Sequence, residues 1–265
     1  MTAFFDTHVH FPDEAAAVEG LLTRASAAGV ARLLAVGGSP ALNPGARRAA
    51  AARPEQVLLA LGLDRDQAGR ADALAAADAL FADVEPEQLS AIGEIGLDYQ
   101  RADAAVRRRQ CALMEHQLVR AAQWERPVVI HTREADDDTL ALLRQARGLP
   151  WFRGARPGVI HCFTGGQVLA DALLELGYLL SFSGIVTFAN ADPLRAVARA
   201  VPGERLLIET DTPYLTPVPL RGRPNEPAYV PHVAACLAHA RGTSLDELAA
   251  LTRANAERLF GGPAA

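Results

Sequence analysis

The sequence of 265 residues predicts an α/β fold, a single-domain TIM-type (β/α)8 barrel. Two observations predict this fold class: short segments rich in Val, Ile and Leu alternate with longer segments of helical periodicity, and the alternation gives eight strand–helix units. Such alternation implies parallel strands joined by helical crossovers, and eight units fit the length of a barrel. A doubly wound open sheet is the alternative. We expect one domain over residues 1–265.

Each element follows from its local pattern. The predicted strands are short apolar runs at residues 4–9, 32–36, 57–61, 90–95, 128–131, 159–162, 178–182 and 206–209. The predicted helices have apolar residues at helical spacing at 13–28, 44–52, 70–82, 104–123, 135–146, 167–176, 193–200 and 230–241. A last helix runs to Phe260 from Ser244, which forms a capping box with Glu247. The proline-rich segment 213–231 lies where a barrel carries an active-site loop.

Composition excludes several classes of protein. A net charge of −5, from 26 basic and 31 acidic residues, argues against coating nucleic acid through bulk charge, although an enzyme could still hold one phosphodiester end. Three scattered cysteines without a CxxC motif are typical of a reducing compartment. We find no secretory signal and no apolar run of the roughly 20 residues that span a bilayer. We therefore expect a cytoplasmic protein that does not contact membranes.

Residues of metal-ligand type stand where the predicted strands end. Strand one ends in His8 and His10, and strand four in a run that contains Glu94. The ends of strands five, six and eight carry His131, His161, Glu209 and Asp211. A pair of nearby histidines is weak evidence alone, since most such pairs are surface or core residues. In a barrel, however, the carboxyl ends of the strands meet at one face, where active sites lie.

These residues exceed the needs of one ion. A buried carboxylate at Glu94 is costly unless it is paired or metal-bound. The simplest arrangement puts His8, His10 and Asp211 on one ion, puts His131 and His161 on the other, and uses Glu94 as a bridge. Two divalent ions, for which an imidazole-rich set favours Zn²⁺ or Mn²⁺, would then activate a water for hydrolysis at phosphorus or at a carbonyl. Glu209 shares a strand face with Asp211, so one of the two could act as ligand or base while the other supports the ligands from behind, and Glu209 is also a candidate for substrate binding.

Other chemically active residues have simpler interpretations. Cys162 follows His161, and because adjacent strand residues face opposite ways, we expect it beneath the helices as a small apolar residue. Arg133, two residues after His131, is the arginine best placed to meet a phosphate, ahead of Arg221 and Arg223. We expect surface or packing positions for His116, His232 and His239, and a solvated helix face for Arg107, Arg108 and Arg109.

Several stretches together resemble the TatD family of metal-dependent deoxyribonucleases, within the amidohydrolase-like barrels. The specific ones are Gly-Glu-Ile-Gly-Leu-Asp-Tyr at 93–99 and Glu-Thr-Asp-Thr-Pro-Tyr at 209–214. Further matches are Asp-Thr-His-Val-His at 6–10, the segments 127–135 and 161–165, the segment 183–188, and Arg-Pro-Asn-Glu-Pro at 223–227. All occur in family order.

The resemblance implies a TIM-like barrel that acts as a 3′–5′ exonuclease or related DNase on single-stranded DNA or 3′ ends. It implies metal ligation by His8, His10, Glu94, His131, His161 and Asp211, and activity with Mg²⁺. The implied general base is Asp211 or a metal-bound hydroxide that Asp211 orients. One departure concerns substrate preference: the family commonly has Gly-x-His-Pro after strand three, and this chain has Gly62-Leu63-Asp64-Arg65. Asp64 could repel a phosphate, bind an ion or pair with Arg65.

Two alternative functions follow from the same residues. An acyl hydrolase, such as an aminoacyl-tRNA deacylase, would use the same metal-activated water on a different bond. A non-catalytic metal-binding interaction protein belongs to another class, but such a module has no need of a bridging carboxylate in an apolar strand. We expect no obligatory protein partner in either case.

Overall fold

The computed structural model describes residues 2–150, 152 and 156–261, and it confirms the barrel. Eight strands form one sheet in the order of the chain, and every neighbouring pair is parallel. The strands are β1 (Phe4–Val9), β2 (Val30–Gly38), β3 (Val57–Leu63), β4 (Ala91–Asp98), β5 (Val128–Arg133), β6 (Gly158–Ile160), β7 (Leu179–Phe182) and β8 (Leu206–Ile208).

The first and last strands close the barrel at its carboxyl end. Val9 forms a parallel bridge with Thr212, and the His10 amide donates to the Thr212 carbonyl over 3.0 Å. The Asp211 amide donates to the carbonyl of His8 over 3.1 Å. Residues about two hundred positions apart in sequence are therefore neighbours.

Nine α-helices in the described residues follow the predicted pattern to within a few residues. They are α1 (Ala15–Ala27), α2 (Asn43–Ala52), α3 (Ala73–Ala82), α4 (Ala104–Gln123), α5 (Asp136–Ala146), α6 (Gln167–Glu175), α7 (Asp192–Ala200), α8 (Val230–Arg241) and α9 (Leu245–Phe260). The predicted capping box at the start of α9 is present, because Ser244 and Glu247 each satisfy the other's backbone amide. In the part of the chain that is described, no helix is both long and apolar enough to cross a bilayer.

Apolar side chains pack in two layers. The outer layer lies between strands and helices, and the inner layer fills the barrel with one residue from most strands. The inner layer comprises Phe5, Leu34, Val36, Ala60, Ala91, Val129, Val159, Leu179 and Leu207. Helix α9 adds Phe260, whose ring centroid lies 6.3 Å from that of Phe5. With the amino-terminal end filled in this way, a polar site has room only towards the carboxyl ends of the strands.

Two strands end earlier than predicted. β6 ends at Ile160 and β8 at Ile208, so His161, Cys162, Glu209 and Asp211 lie beyond the strands. The backbone turns into the left-handed region at Cys162, with φ of 45°, and at Asp211, with φ of 59°. The alternation of side chains along a strand therefore does not extend to these residues.

Candidate metal centre

Six predicted ligands meet at the carboxyl end of the barrel. The six are His8, His10, Glu94, His131, His161 and Asp211, contributed by or directly after β1, β4, β5, β6 and β8. Five are buried, and His131 is partly exposed. Ligand atoms of His8, His10 and Asp211 lie within 4.8 Å of one another, and so do those of His8, Glu94 and His161.

Local irregularities in two strands aim these side chains into the barrel. The pairing of β1 with β2 shifts register between Asp6 and Val9, next to His8. The pairing of β4 with β5 shifts between Ile92 and Ile95, next to Glu94. Such bulges often re-aim a side chain beside an active site. Alternation alone would not give the face on which His8 and Glu94 lie.

The first half of the centre consists of His8, His10 and Asp211. The two histidine Nε2 atoms lie 3.1 Å apart. Oδ1 of Asp211 lies 3.9 Å from Nε2 of His8 and 3.8 Å from Nε2 of His10. Nδ1 of His10 lies 2.9 Å from the Val36 carbonyl, which fixes the ring and leaves Nε2 free to act as a ligand.

The second half consists of His131 and His161. Nδ1 of His131 lies 3.2 Å from Nε2 of His161. The outward nitrogen of each ring faces a carboxylate: Nε2 of His131 lies 3.5 Å from Oδ2 of Asp98, and Nδ1 of His161 lies 3.4 Å from Oε1 of Glu209. Carboxylates behind ligating histidines orient the rings and raise their basicity.

Glu94 lies between the halves. Its Oε2 is 3.6 Å from Nε2 of His8 and 3.5 Å from that of His10, whereas its Oε1 is 3.5 Å from both Nδ1 of His131 and Nε2 of His161. Each carboxylate oxygen thus faces one histidine pair.

Glycine allows the close approach of β4 and β5 beside Glu94. Gly96 has φ of 145°, and a Cβ atom there would lie 2.0 Å from the His131 carbonyl oxygen. At Gly93 a Cβ atom would lie 2.6 Å from that of Val129. Any larger residue would therefore push the strand of Glu94 away from the strand of His131.

Burial and neighbouring charges shift the pKa values of the cluster. Burial opposes ionisation of Glu94, but His161, His8 and Arg65 hold its pKa well below the usual range. Burial lowers the pKa of His161, but the carboxylates of Glu94 and Glu209 outweigh it and raise the value to about 10. Burial raises the pKa of Asp211 well above its usual range, and the carboxylates of Glu209 and Glu94 add to the shift. Without a metal ion, the Arg65 guanidinium and a proton on His161 provide the positive charge beside these carboxylates.

The donor set fits divalent metal. Two Nε2 atoms that face each other at 3.1 Å can share only one proton, whereas a metal ion satisfies both lone pairs. Nδ1 of the buried His8 has no hydrogen-bond partner among the described residues. Imidazole with carboxylate is a ligand set for Zn²⁺ or Mn²⁺. We conclude that these residues form a candidate metal-binding cluster.

Cys162 does not lie beneath the helices, and that prediction was wrong. Because the backbone is left-handed there, its Sγ lies 3.2 Å from Oγ of Ser183, at the carboxyl end of the barrel. Its amide donates to Oε1 of Glu209 over 2.6 Å. Desolvation, with the carboxylates of Asp211 and Glu209, raises the pKa of the thiol well above its usual range. A thiol in this state is a poor nucleophile.

Asp64 and Arg65 have separate roles. Oδ1 of Asp64 accepts from the Asp66 amide over 2.9 Å and caps the 3₁₀ segment Arg65–Gly69. Burial and the nearby Glu94 raise the pKa of Asp64 to about 6. Among the described ion pairs, Arg65 contacts Glu94 and Asp66 instead of Asp64. Of the three alternatives considered for Asp64, pairing with Arg65 is therefore not formed among the described ion pairs.

The arginines considered for phosphate binding occupy different surroundings. The Arg133 side chain is half exposed at the rim, and its Nη1 lies 3.9 Å from Oδ2 of Asp98. Arg221 instead lies over the Phe188 ring, with its guanidinium 4.1 Å from the ring centre. Arg107, Arg108 and Arg109 are exposed, as predicted. In addition, the Arg107 guanidinium lies 4.6 Å from the Tyr99 ring centre, and Arg109 donates to the Ala68 carbonyl.

Three residues of the site were missed in the sequence. Asp98 stands behind His131, and Arg65 contacts Glu94. Asp6 is fully buried and accepts hydrogen bonds from the Thr210 amide and hydroxyl, over 2.9 and 2.6 Å, which ties β1 to the segment after β8. Asp6 and Asp98 both lie in stretches that resemble the TatD family, at 6–10 and 93–99, and this position could have identified them as site residues. Nothing in the sequence pattern indicated the contact of Arg65.

Comparisons with known proteins agree with this geometry. A family model described as TatD related DNase matches residues 5–261. The uncharacterized metal-dependent hydrolase YcfH of Escherichia coli is 46% identical over 174 residues, which cover 66% of this chain and 63% of that protein. The 3′-5′ ssDNA/RNA exonuclease TatD of Klebsiella pneumoniae is 41% identical over 192 residues, 71% of each chain.

Solved structures agree as well. The crystal structure of YJJV, a TatD homologue from Escherichia coli, has a TM-score of 0.83 and 31% identity over 98% of both chains. A TatD family hydrolase from Entamoeba histolytica has the same TM-score at 19% identity and shows the shared fold. Given the match over residues 5–261, this chain belongs to the TatD family of metal-dependent hydrolases.

Proposed function

We propose that this chain is a two-metal hydrolase that removes nucleotides from the 3′ end of single-stranded DNA. The observation that carries this proposal is the position of Glu94, each of whose oxygens faces a separate pair of histidines. The printed name of the Klebsiella pneumoniae relative, a 3′-5′ ssDNA/RNA exonuclease, supports the substrate class.

The residues divide into two ligand sets and their supports. His8, His10 and Asp211 would hold one divalent ion, His131 and His161 the other, with Glu94 between them. Divalent ions bound there would supply an activated water and positive charge for the phosphate. Mg²⁺, Mn²⁺ and Zn²⁺ all suit parts of this donor set.

The remaining residues of the site act on protons, ring orientation and substrate position. Asp211, whose Oδ1 lies within 3.9 Å of the Nε2 atoms of both His8 and His10, is our candidate to accept the proton of the attacking water. Glu209 and Asp98 would hold the rings of His161 and His131. Arg133, half exposed at the rim, would meet a substrate phosphate. Asp64 lies near this end of the barrel, but its carboxylate is already used as a cap.

We place one catalytic domain over residues 1–265, without an obligatory protein partner. The three cysteines Cys111, Cys162 and Cys236 are free thiols, which supports a cytoplasmic location.

A substrate panel tests the proposed activity. The full chain, stripped of metal and reloaded with Mg²⁺, Mn²⁺ or Zn²⁺, is incubated with 5′-labelled single-stranded DNA, duplex DNA, RNA, a p-nitrophenyl phosphodiester, carboxyl esters and aminoacyl-tRNA. We expect single-stranded DNA to shorten progressively from its 3′ end. Intact DNA under every metal, with turnover of an ester or of aminoacyl-tRNA, would show an acyl hydrolase instead. Metal binding without turnover of any substrate would favour a non-catalytic role.

A further inference from the structure

Arg65 brings a positive charge into the candidate metal centre. It follows β3 directly and starts the 3₁₀ segment Arg65–Gly69. Its side chain is only 20% exposed, and its Nη1 contacts Oε1 of Glu94. Nε lies 3.9 Å from Oδ2 of Asp66, which is 74% exposed, so Glu94 is the main anionic partner of the guanidinium.

The contact is asymmetric with respect to the two halves of the centre. Arg65 contacts Oε1 of Glu94, the oxygen that lies 3.5 Å from both His131 and His161. The other oxygen, Oε2, faces His8 and His10 at 3.6 and 3.5 Å. The guanidinium therefore competes for the carboxylate oxygen on the side of His131 and His161.

The number of carboxylates that could act as ligands is also unequal. On the side of His8 and His10, Asp211 lies within 3.9 Å of both Nε2 atoms and offers a second carboxylate. On the side of His131 and His161, Asp98 and Glu209 approach the outward ring nitrogens, away from Glu94. A cation on this second side would share one carboxylate oxygen of Glu94 with Arg65. The guanidinium of Arg65 is also positively charged and would repel the cation.

We propose that Arg65 makes the two metal positions unequal. The position formed by His8, His10 and Asp211 binds a divalent ion first, and the position formed by His131 and His161 fills only when a second ion displaces Arg65 from Glu94. This inference assumes the two-metal centre of the proposed function and adds an order of filling. Arg65 is in this sense a positioning residue, which acts through Glu94.

A Mn²⁺ titration of the metal-free full chain tests the order of filling. Binding is followed by isothermal titration calorimetry and by the electron paramagnetic resonance signal of free and spin-coupled Mn²⁺. We expect two binding constants that differ by about 10-fold or more in the wild type, the range in which groups around a metal site change its affinity. Spin coupling should arise only with the second equivalent.

Two neutral variants, Arg65→Gln and Arg65→Met, remove the charge. Both should tighten the second constant by about 10-fold and leave the first nearly unchanged, the scale at which a neighbouring group acts on a metal site. Arg70→Gln is the matched control, because Arg70 pairs with Asp72 on the same connection and is 43% exposed. Thermal unfolding followed by circular dichroism verifies that each variant is folded.

Equal constants in the wild type, or an unchanged second constant in the folded variants, would overturn the inference. The readout is metal binding, so it is separate from the test of activity. If the variants gain the second ion but no nucleic acid is cut, the order of filling stands and the nuclease function fails. If DNA is cut while the wild type binds two Mn²⁺ ions with equal constants, the nuclease function stands and the order of filling fails.

Discussion

At the scale of single residues, Glu94 is the group that joins the two halves of the site. It is 3% exposed, in a strand whose other residues are apolar or glycine up to Leu97, and its pKa is held well below the usual range despite burial. A buried carboxylate in this state needs cations around it. His161 and Arg65 provide positive charge in the absence of metal, and divalent ions would provide more.

Glu94→Gln is therefore the most informative substitution at this scale. The amide keeps the shape of the side chain but loses the charge, so we expect turnover to fall by more than about 100-fold and metal content to drop. Turnover on single-stranded DNA and metal content by mass spectrometry measure the two effects. Glu115→Gln, at an exposed position of α4, is the control. Full activity with unchanged metal content in Glu94→Gln would rule out the bridging role.

At the scale of elements, the segment after β8 carries Asp211 and needs its own support. Asn225 is 3% exposed, and its side-chain amide donates to the carbonyls of Thr210, over 2.9 Å, and Tyr214. These bonds hold both flanks of Asp211. Because the loop has no regular secondary structure at this point, a single buried side chain supplies much of its order.

Asn225→Ala should loosen this segment. Two buried carbonyls would lose their donor, so the free energy of unfolding should fall by about 1–3 kcal/mol. Urea unfolding followed by circular dichroism measures this loss, and a Mn²⁺ titration should show weaker binding of the first ion. Arg24, which is exposed and pairs with Glu226, offers a control, since Arg24→Ala should cost less than about 1 kcal/mol. Equal losses in the two variants would contradict the special role of Asn225.

Helix α9, which covers the amino-terminal end of the barrel, gives a pH-dependent prediction. Glu247 accepts hydrogen bonds from the Ser244 amide over 2.9 Å and from the hydroxyls of Thr243 and Ser244 over 2.7 Å. These bonds lower the pKa of Glu247 from 4.5 to about 2. A lowered carboxyl pKa means that the folded state binds the proton less tightly than the unfolded chain. The stabilisation is therefore complete above pH 4.5 and is lost as the pH falls towards 2.

The stability difference between the wild type and Glu247→Ala should follow that window. It should be constant at neutral pH and should shrink as the pH falls from 4.5 to about 2. Chemical unfolding at a series of pH values measures the difference. A difference that stays constant down to the acid end of the series would mean that the carboxylate does not contribute through its charge.

At the scale of the whole molecule, the regular alternation of strand and helix made the barrel predictable. Each strand was predicted from a run of apolar residues. The residues that follow each run were therefore predicted to lie at the carboxyl end of a strand. In a barrel this is sufficient to bring His8 and Asp211 together, since the first and last strands are neighbours. The fold and the convergence of the six candidate ligands could therefore be expected from sequence.

Contacts that depend on the exact path of the backbone could not be predicted. Cys162 faces Ser183 because its φ is 45°, which period-two alternation does not anticipate. The contact of Arg65 with Glu94 depends on the direction of a long side chain from a 3₁₀ segment. The register shifts beside His8 and Glu94 leave no mark in the apolar pattern.

We propose that Glu94 lies between two metal ions. An anomalous difference map from a crystal of the full chain soaked in saturating Mn²⁺ tests this arrangement. We predict two peaks on either side of Glu94, one beside His8, His10 and Asp211 and one beside His131 and His161. A map with no peak in this cluster, or with peaks that Glu94 does not contact, would contradict the claim.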